Sequence, residues 1–502
     1  MNSNELASRI SALPVESQRI LDERPALREL IKGLVETIEK LQQEIAELRY
    51  EVKYLQDQLK LDSHNSSKPP STDQSRAMSG KKVVSLRSST GKKPGGQEGQ
   101  PGSTLRAVSS PDHIVPHEVS VCSRCGKDLS STPVAGIEKR QVFDIPPLKL
   151  EVTEHQAEVK ICPECHTRSR GDFPEGVTQA VQYGERAKSF AVYLNQYQLI
   201  PYERVTEMFV DLLGQPISQG TLLNAIETSY CNLESTENWI KSRILNSHTV
   251  HFDETGLYRS GKRAWLHSAS TEEFTYYFPH SKRGSAAMDE AGILPNYKGV
   301  AVHDHWEPYN SYEGCSHAFC NAHHLRELIR AYEQDETSWA KEMKEMLVEI
   351  KGQTDHAKDS GKQALESGLI GSYHQCYQSI LTEALKTYPS EGDIRDKPRR
   401  GKKKQCKGKN LLDRLIEYET ETLRFMEDFR VPFDNNLVER DIRMVKVKQK
   451  ISGCFRSEDG ANYFCRIRGF ISTAKKQGRN VLECLRQTFQ TSKAEIILLP
   501  EG

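Results

Sequence analysis

Ser247-His248-Thr249-Val250-His251-Phe252-Asp253 runs from polar residues into alternating apolar ones and stops on a carboxylate, the pattern of a half-buried strand that ends in an acid. Gly299-Val300-Ala301-Val302 reads as a short buried strand that delivers Asp304 at its end. Between them, RAWLHSAS (Arg263–Ser270) and FTYYFPH (Phe274–His280) form an expected hairpin with its turn around Thr271-Glu272-Glu273. Far downstream, Asp434 or Asn435 can cap a helix carrying Glu439, Arg440, Arg443 and Lys446. Strands and helices that mix in this way make the chain α+β.

The bulk numbers narrow the function classes. At 502 residues the chain holds several domains. It carries 69 basic and 69 acidic residues, so its net charge is zero. The distribution is uneven: Arg395–Arg486 holds 24 Lys/Arg against 13 Asp/Glu, the footprint of contact with a polyanion. No apolar run reaches the ~18 residues of a membrane span, and the polar start MNSNELASRI is not a signal peptide. Twelve cysteines without an export signal point to thiols and metal ligation in the cytoplasm, not to disulfides. No P-loop occurs, so ATP is not expected as an energy source.

The N-terminal region carries a heptad. Ile31, Ile38, Ile45, Val52 and Leu59 recur every seven residues, with Leu34, Leu41, Leu48 and Leu55 between them. Mainly β-branched residues at a and Leu at d favour a parallel two-stranded coiled coil, and Glu44 can reach Arg49 of a partner. A homodimer or higher oligomer is therefore expected. From Leu61 to Val108, Pro, Gly, Ser and Lys replace the periodicity and form a linker. Its Lys81, Lys82, Lys92 and Lys93 suit phosphates and a solvated tether equally.

Next come two Cys-x-x-Cys pairs, Cys122/Cys125 and Cys162/Cys165, each followed by small or turn residues as in a zinc knuckle. Two knuckles supply four thiolates, a closed tetrahedral set for structural Zn²⁺. The 36 residues between them exceed the common ~15–20, so RQVFDIP and LKLEVTEHQAEVKI are expected to be strands that bring the knuckles together. His155 and His166 are then surplus to the site.

Arg186–Cys231 reads as three short helices, with Pro201 in a first turn, Gly214 at a helix end and Ser218 as an N-cap. The break GQPIS has helix-turn-helix spacing, which makes the helix from Gln219 a candidate reader; few basic residues decorate it, and an ordinary bundle fits as well.

Asp253, Asp304 and Glu439 together make a carboxylate set able to chelate two hard cations for phosphoryl transfer. Spacing alone does not single out three among 69 acidic residues. A resemblance does. NSSKPPSTD (Asn65–Asp73), GGQEGQPG (Gly95–Gly102), the paired knuckles, FDETG (Phe252–Gly256), HDHWEPY (His303–Tyr309), FCNAHHLREL (Phe319–Leu328) and NNLVERDIRMVKVKQKISGCFRSEDGA (Asn435–Ala461) follow one another as in insertion-sequence-66-type DDE transposases. The chain resembles that family, of transposase C subunit type, over nearly its whole length. The resemblance implies an RNase H-like fold with Asp253, Asp304 and Glu439 binding two Mg²⁺ or Mn²⁺ ions. It further implies cleavage of transposon 3′ ends and their joining to target DNA. Transposon-end DNA, target DNA and accessory proteins of the same element would be partners, in a cytoplasmic, nucleoid-associated setting.

The resulting division is a helix with a leucine-zipper coiled coil (1–60), a basic linker (61–110), a four-cysteine zinc-binding module (111–178) and a helical, helix-turn-helix-like domain (179–245). An RNase H-like catalytic domain (246–450) with a helical insertion (about 326–430) and a basic C-terminal extension (451–502) complete it. Long helices are expected over Arg326–Lys351 and Leu411–Phe429, and PRRGKKKQCKGK (Pro398–Lys409) suits sequence-independent phosphate contact or an exposed loop. Cys320, His323 and His324 have metal-ligand spacing, but a helix start packed beside the site is the favoured reading; Cys315 and His317 lie close. Arg440 and Arg443 would face phosphates or buttress Glu439. The rival functions are a stand-alone RNase H-like nuclease, disfavoured by the zipper and zinc module, and a catalytically inactive zinc-finger DNA-binding regulator, disfavoured by the three carboxylates.

Overall fold

Heptad leucines and a run free of proline after its first residue make Pro25–Leu59 (α1) one unbroken helix of 35 residues. Its Leu34, Ile38, Leu41, Ile45, Leu48, Val52 and Leu55 form an apolar seam, each about half exposed in the single chain. The computed structural model describes residues 19, 23–59, 61, 65–66, 105–335, 337–388 and 407–490. NSSKPPSTD, apart from Asn65 and Ser66, GGQEGQPG, and all of Pro398–Lys409 before Lys407 lie outside the described residues.

The cysteine region is built almost without a core. Val159–Ile161 (β1) pairs antiparallel with Arg168–Arg170 (β2) around the second cysteine pair, and a single bridge, Val121 to Asp128, spans the first. The expected strands are mostly absent: RQVFDIP forms none, and LKLEVTEHQAEVKI contributes only its last three residues. Alternation supplied an apolar face, but nothing packs on it. Val142 is 92% and Val152 88% exposed.

Four helices follow, Glu185–Val192 (α2, continued as a π-turn through Tyr193–Tyr197), Tyr202–Leu213 (α3), Gln219–Asn232 (α4) and Glu234–Leu245 (α5). Gly214 ends α3 in the left-handed conformation, and Ser218 Oγ accepts the Thr221 N–H at 3.0 Å to start α4. Pro201 stands just before the first residue of α3 instead of within its first turn.

The sheet comes next. Thr249–Arg259 (β3), Lys262–Ser270 (β4) and Thr275–His280 (β5) form an antiparallel meander; after Ser285–Ala291 (α6), Val300–His303 (β6) pairs parallel with β3. After Glu307–Asn310 (α7), Ser316–Phe319 (β7) pairs parallel with β6, giving the order β5-β4-β3-β6-β7. The β4–β5 turn falls at Thr271–Phe274 as expected, closed by the Thr271 N–H on the Phe274 carbonyl at 2.8 Å. The turn between β3 and β4 was not foreseen: Ser260 and Gly261 both have positive φ, the two-residue turn that matches strand twist. Gly299 precedes β6 because a Cβ there would collide with the Tyr297 hydroxyl and the His248 carbonyl.

Asn321–Asp335 (α8), Ser338–Asp359 (α9), Ser367–Thr387 (α10), Lys407–Glu417 (α11) and Glu419–Glu427 (α12) make a helical layer with its own core, centred on Leu328, Met343, Leu347, Tyr377, Leu412 and Leu423. Each of the two long helices expected here is broken in two. Tyr418 leaves helical geometry between α11 and α12, and its ring packs on His305 and Phe319.

Asn436–Ser452 (α13), Glu458–Lys476 (α14) and Val481–Gln490 (α15) close the fold. One hydrophobic cluster contains Ala191 and Ile226 of the early helices, Val250 and Phe252 of β3, and Phe470 and Leu485 of α14 and α15. A single core thus runs across the boundaries drawn at 245 and 450. The chain is a mixed α+β assembly around this central sheet. No described helix is long and apolar enough to cross a membrane.

Candidate active site at the ends of the parallel strands

Parallel pairing brings Asp253 and Asp304 to one edge. β3 and β6 run in register from Thr249 and Val300 to His251 and Val302, and each aspartate lies two residues beyond that last pair. β6 ends at His303, so Asp304 stands just past a strand terminus, as the sequence indicated. Asp253 does not. The Ser260-Gly261 turn extends β3 to Arg259, and Asp253 sits mid-strand opposite Ser268 of β4. Its other side opens because β6 has ended, at the carboxyl ends of two parallel strands where open sheets expose ligands.

Glu439 enters on the first turn of α13, and Asn435 fixes where that helix begins. Neither Asp434 nor Asn435 caps the helix in the expected manner: Asp434 Oδ1 accepts the Asn436 N–H at 3.0 Å, while the Asn435 side chain turns inward. There its amide donates to the Phe252 carbonyl at 2.9 Å, and its Oδ1 meets His251 Nδ1 at 2.8 Å. The Asn435 backbone N–H points to Cys320 Sγ at 3.2 Å. One asparagine therefore joins β3 immediately before Asp253, the end of β7 and the helix bearing Glu439. Two residues beyond Glu439, Asp441 accepts from Ser270 at 2.8 Å and pairs with Lys476 at 2.7 Å, locking α13 onto β4 and α14.

The three carboxylates act on one another. Burial first, then the charges of Glu254, Asp304 and Glu439, hold the Asp253 carboxyl well above the usual carboxylate range. Burial and Glu254 push Asp304 up to about 6, and burial likewise raises Glu439. Each aspartate is oriented by a backbone donor: Glu254 N–H to Asp253 Oδ1 at 2.8 Å, and Trp306 N–H to Asp304 Oδ1 at 3.1 Å. The buried Oε1 of Glu439 accepts no hydrogen bond.

Glu254, a fourth acid nearby, is already engaged. Arg283 holds its Oε1 at 2.5 and 2.8 Å, and the Tyr309 hydroxyl donates to Oε2 at 2.6 Å. The Arg283 guanidinium also lies 4.0 Å from the Trp306 ring centre and 4.9 Å from that of Trp265. Sequence reasoning missed Arg283, Tyr309 and the inward turn of Asn435. HDHWEPY and NNLVER contain two of them, but no spacing rule marks an amide that will face a distant strand. Arg443 and Arg326 are near enough for their charges to act on Glu439, whereas Arg440 acts on Lys476.

Cys320, His323 and Glu439 offer ligand atoms that all lie within 4.8 Å of one another, the only such group of three among the described residues. His324 is buried and bonds Asn321 instead, and His317 pairs with His303 at 2.9 Å, with Cys315 beside it. In the cysteine module each pair forms its own knuckle turn: the Gly126 N–H meets the Cys122 carbonyl at 3.0 Å, and the His166 N–H meets that of Cys162 at 2.9 Å. Hydrogen bonds, first from the Thr167 side chain, lower the Cys165 thiol to about 7. Cys122, Cys125, Cys162 and Cys165 are not among the residues gathered within 4.8 Å. The exposed face of α4 carries Gln219, Asn224, Glu227 and Thr228 and no basic residue, while its buried face packs Leu222, Ala225 and Ile226 into the core.

Comparison with known families gives three matches. Residues 180–463 match the family described as Transposase IS66 family, and residues 120–166 match the zinc-finger binding domain of transposase IS66. Residues 14–106 match a family of unknown function. No curated protein matches the chain.

Proposed function

Since this chain belongs to the transposase IS66 family, we propose that Asp253, Asp304 and Glu439 hold two Mg²⁺ or Mn²⁺ ions and that the protein cuts transposon 3′ ends and joins them to target DNA. The observation that carries the reading is the proximity of these acids where β6 ends beside β3: burial raises all three carboxyls, the charges of Asp304 and Glu439 act on Asp253, and that of Asp304 acts on Glu439. Buried like charges are costly unless a cation neutralises them. Carboxylate oxygens suit hard cations. Glu254 is engaged by Arg283 and Tyr309 and is not assigned as a ligand. The order of the mixed sheet, with an acid on its central strand and another after the adjacent parallel strand, supports an RNase H-like catalytic fold.

Ions bound there would activate a water or a 3′-hydroxyl and stabilise the leaving oxygen of an in-line displacement. The chain's own groups do the positioning. The backbone N–H groups of Glu254 and Trp306 aim the two aspartates, and Asn435 and Asp441 set the depth of Glu439. Arg283, partly exposed and sandwiched between Trp265 and Trp306, presents a cation to the DNA backbone.

Around this centre, we assign Cys122, Cys125, Cys162 and Cys165 to one structural zinc. The module's exposed apolar residues leave it little core, so metal binding would supply its folding energy. The seam of α1 would close a parallel dimer that brings two catalytic subunits to two DNA ends. The test is a duplex bearing the element's own end, incubated with the purified protein and Mg²⁺. A nick leaving a 3′-hydroxyl, absent with a chelator, is expected. Tight binding of the end without any cleavage, in Mg²⁺ or Mn²⁺, would replace this reading with that of a non-cutting regulator.

A further inference from the structure

The favoured sequence reading left Cys320 and His323 as packing residues at a helix start. Their surroundings say more. Cys320 closes β7, and the Cys320 carbonyl accepts the His323 N–H at 3.0 Å, so one tight turn carries both side chains into α8. Across from them stands Glu439 on α13, more than a hundred residues later in the chain. His323 Nδ1 lies 3.9 Å from Glu439 Oε1, too long for a hydrogen bond. Both atoms are buried, and neither has a hydrogen-bond partner. A packed interior does not ordinarily leave a facing imidazole nitrogen and carboxylate oxygen both unpaired. The charges of Arg326 and Arg443 act on Glu439, but neither closes on Oε1. The third member, Cys320 Sγ, accepts the Asn435 N–H at 3.2 Å, while burial pushes its thiol up to about 12, so a bound metal would have to displace the thiol proton.

We propose that Cys320, His323 and Glu439 form a second transition-metal site, of the zinc class, which ties the first turn of α8 to the helix bearing Glu439. A thiolate, an imidazole and a carboxylate are the donor set of a borderline ion such as Zn²⁺, not of Mg²⁺. Tetrahedral zinc with bonds of ~2.0–2.3 Å spaces its ligand atoms by about 3.4–3.6 Å. The observed group, within 4.8 Å, would contract on an ion to reach that spacing. Three protein ligands leave a fourth position for water or a phosphate oxygen. The site requires only that Glu439 spare one oxygen; it does not depend on Asp253 or Asp304.

Zinc content of the full-length protein, dialysed against weak chelator, tests the proposal. Wild type should retain about two equivalents, one in the four-cysteine module and one here. Cys122→Ser should lower the count by one, His323→Gln and Cys320→Ser should each lower it by one, and Cys122→Ser with His323→Gln should leave almost none. Asp253→Asn should keep both. Replacement by Co²⁺ adds a direct signature: a thiolate-to-cobalt charge-transfer band that persists in Cys122→Ser and disappears when Cys320→Ser is added. Cys320 is buried, so if its serine variant misfolds by circular dichroism, the more accessible His323→Gln decides. A folded His323→Gln with the wild-type zinc count overturns the site, as does a wild type whose only zinc is lost in Cys122→Ser. Loss of cleavage in Asp253→Asn with both zinc equivalents retained separates this site from the hard-cation reading.

Discussion

The cysteine module and the carboxylate site organise ligands in opposite ways. The cysteines come in pairs with two residues between them, on turns that local hydrogen bonds shape, in a region where Val142 and Val152 lie almost fully exposed. The acids come from positions 253, 304 and 439, and the sheet, one asparagine and one half-buried ion pair bring them near one another. In the first case a metal would make the fold; in the second the fold would make the place for a metal. Removing one ligand should therefore unravel the cysteine module but leave the sheet intact.

The largest effect expected is on chemistry. Asp253→Asn, Asp304→Asn or Glu439→Gln should lower strand cleavage by about 10³-fold or more, since metal stabilisation of the displaced oxygens is worth several kcal/mol. End-DNA binding in a gel-shift assay should persist. In the absence of divalent cations Asp253→Asn should melt at a higher temperature than wild type, because it relieves buried like charges. A fall in melting temperature would mean that the acid serves the fold.

Asn435→Ala sharpens the contrast from the other side. It strips partners from His251 Nδ1 and from the Phe252 carbonyl, both in the core, and should cost about 2–3 kcal/mol in chemical denaturation. Cleavage should drop by ~10²-fold through displacement of Glu439, with metal affinity reduced but not abolished. A variant as stable and active as wild type would remove Asn435 from the positioning role.

Cys122→Ser should release one zinc equivalent and open residues 111–178 to protease, while the melting transition of the sheet domain stays within a degree or two, the limit set by an independent unit. Coupled melting of both would contradict the division. In the N-terminal helix, Ile45→Lys with Leu48→Lys places charges in the seam and should shift the mass in light scattering toward monomer. An unchanged mass would put the main contact elsewhere.

The smallest effect lies in the helical layer. Burial alone would lower the His374 pKa, but its hydrogen bonds to Glu419 at 2.6 Å and Glu427 at 3.0 Å outweigh it and raise the value. A raised folded pKa gives stability that is complete below the unfolded value of ~6.5 and lost as pH rises through the folded value. His374→Ala should thus cost roughly 0.5–1 kcal/mol near pH 5.5 and close to nothing near pH 9. Equal cost at both would assign the residue to packing.

What the sequence made legible follows the same divide. Local patterns showed the 35-residue helix, the knuckle spacing, the Ser218 cap and the β4–β5 turn, because each is settled within a few residues. The positions of the acids had to be borrowed from a family resemblance. Asp253 was misplaced at a strand end because Ser260-Gly261 was not read as a turn, although two positive-φ positions there are what joins β3 to β4. Strands were expected across 140–161 because alternation implies a buried face, yet no layer covers it. The inward turn of Asn435 and the roles of Arg283 and Tyr309 were invisible since their partners, Phe252 and Glu254, are near none of them in the chain.

Binding of Mn²⁺ to the full-length protein on end DNA, followed by electron paramagnetic resonance with zinc content measured in the same samples, bears most directly on the carboxylate site. The account predicts about two bound Mn²⁺ per chain in wild type, as a two-ion mechanism requires. It predicts their loss in Asp253→Asn and Asp304→Asn while zinc stays unchanged. Undiminished Mn²⁺ binding in both variants would contradict it.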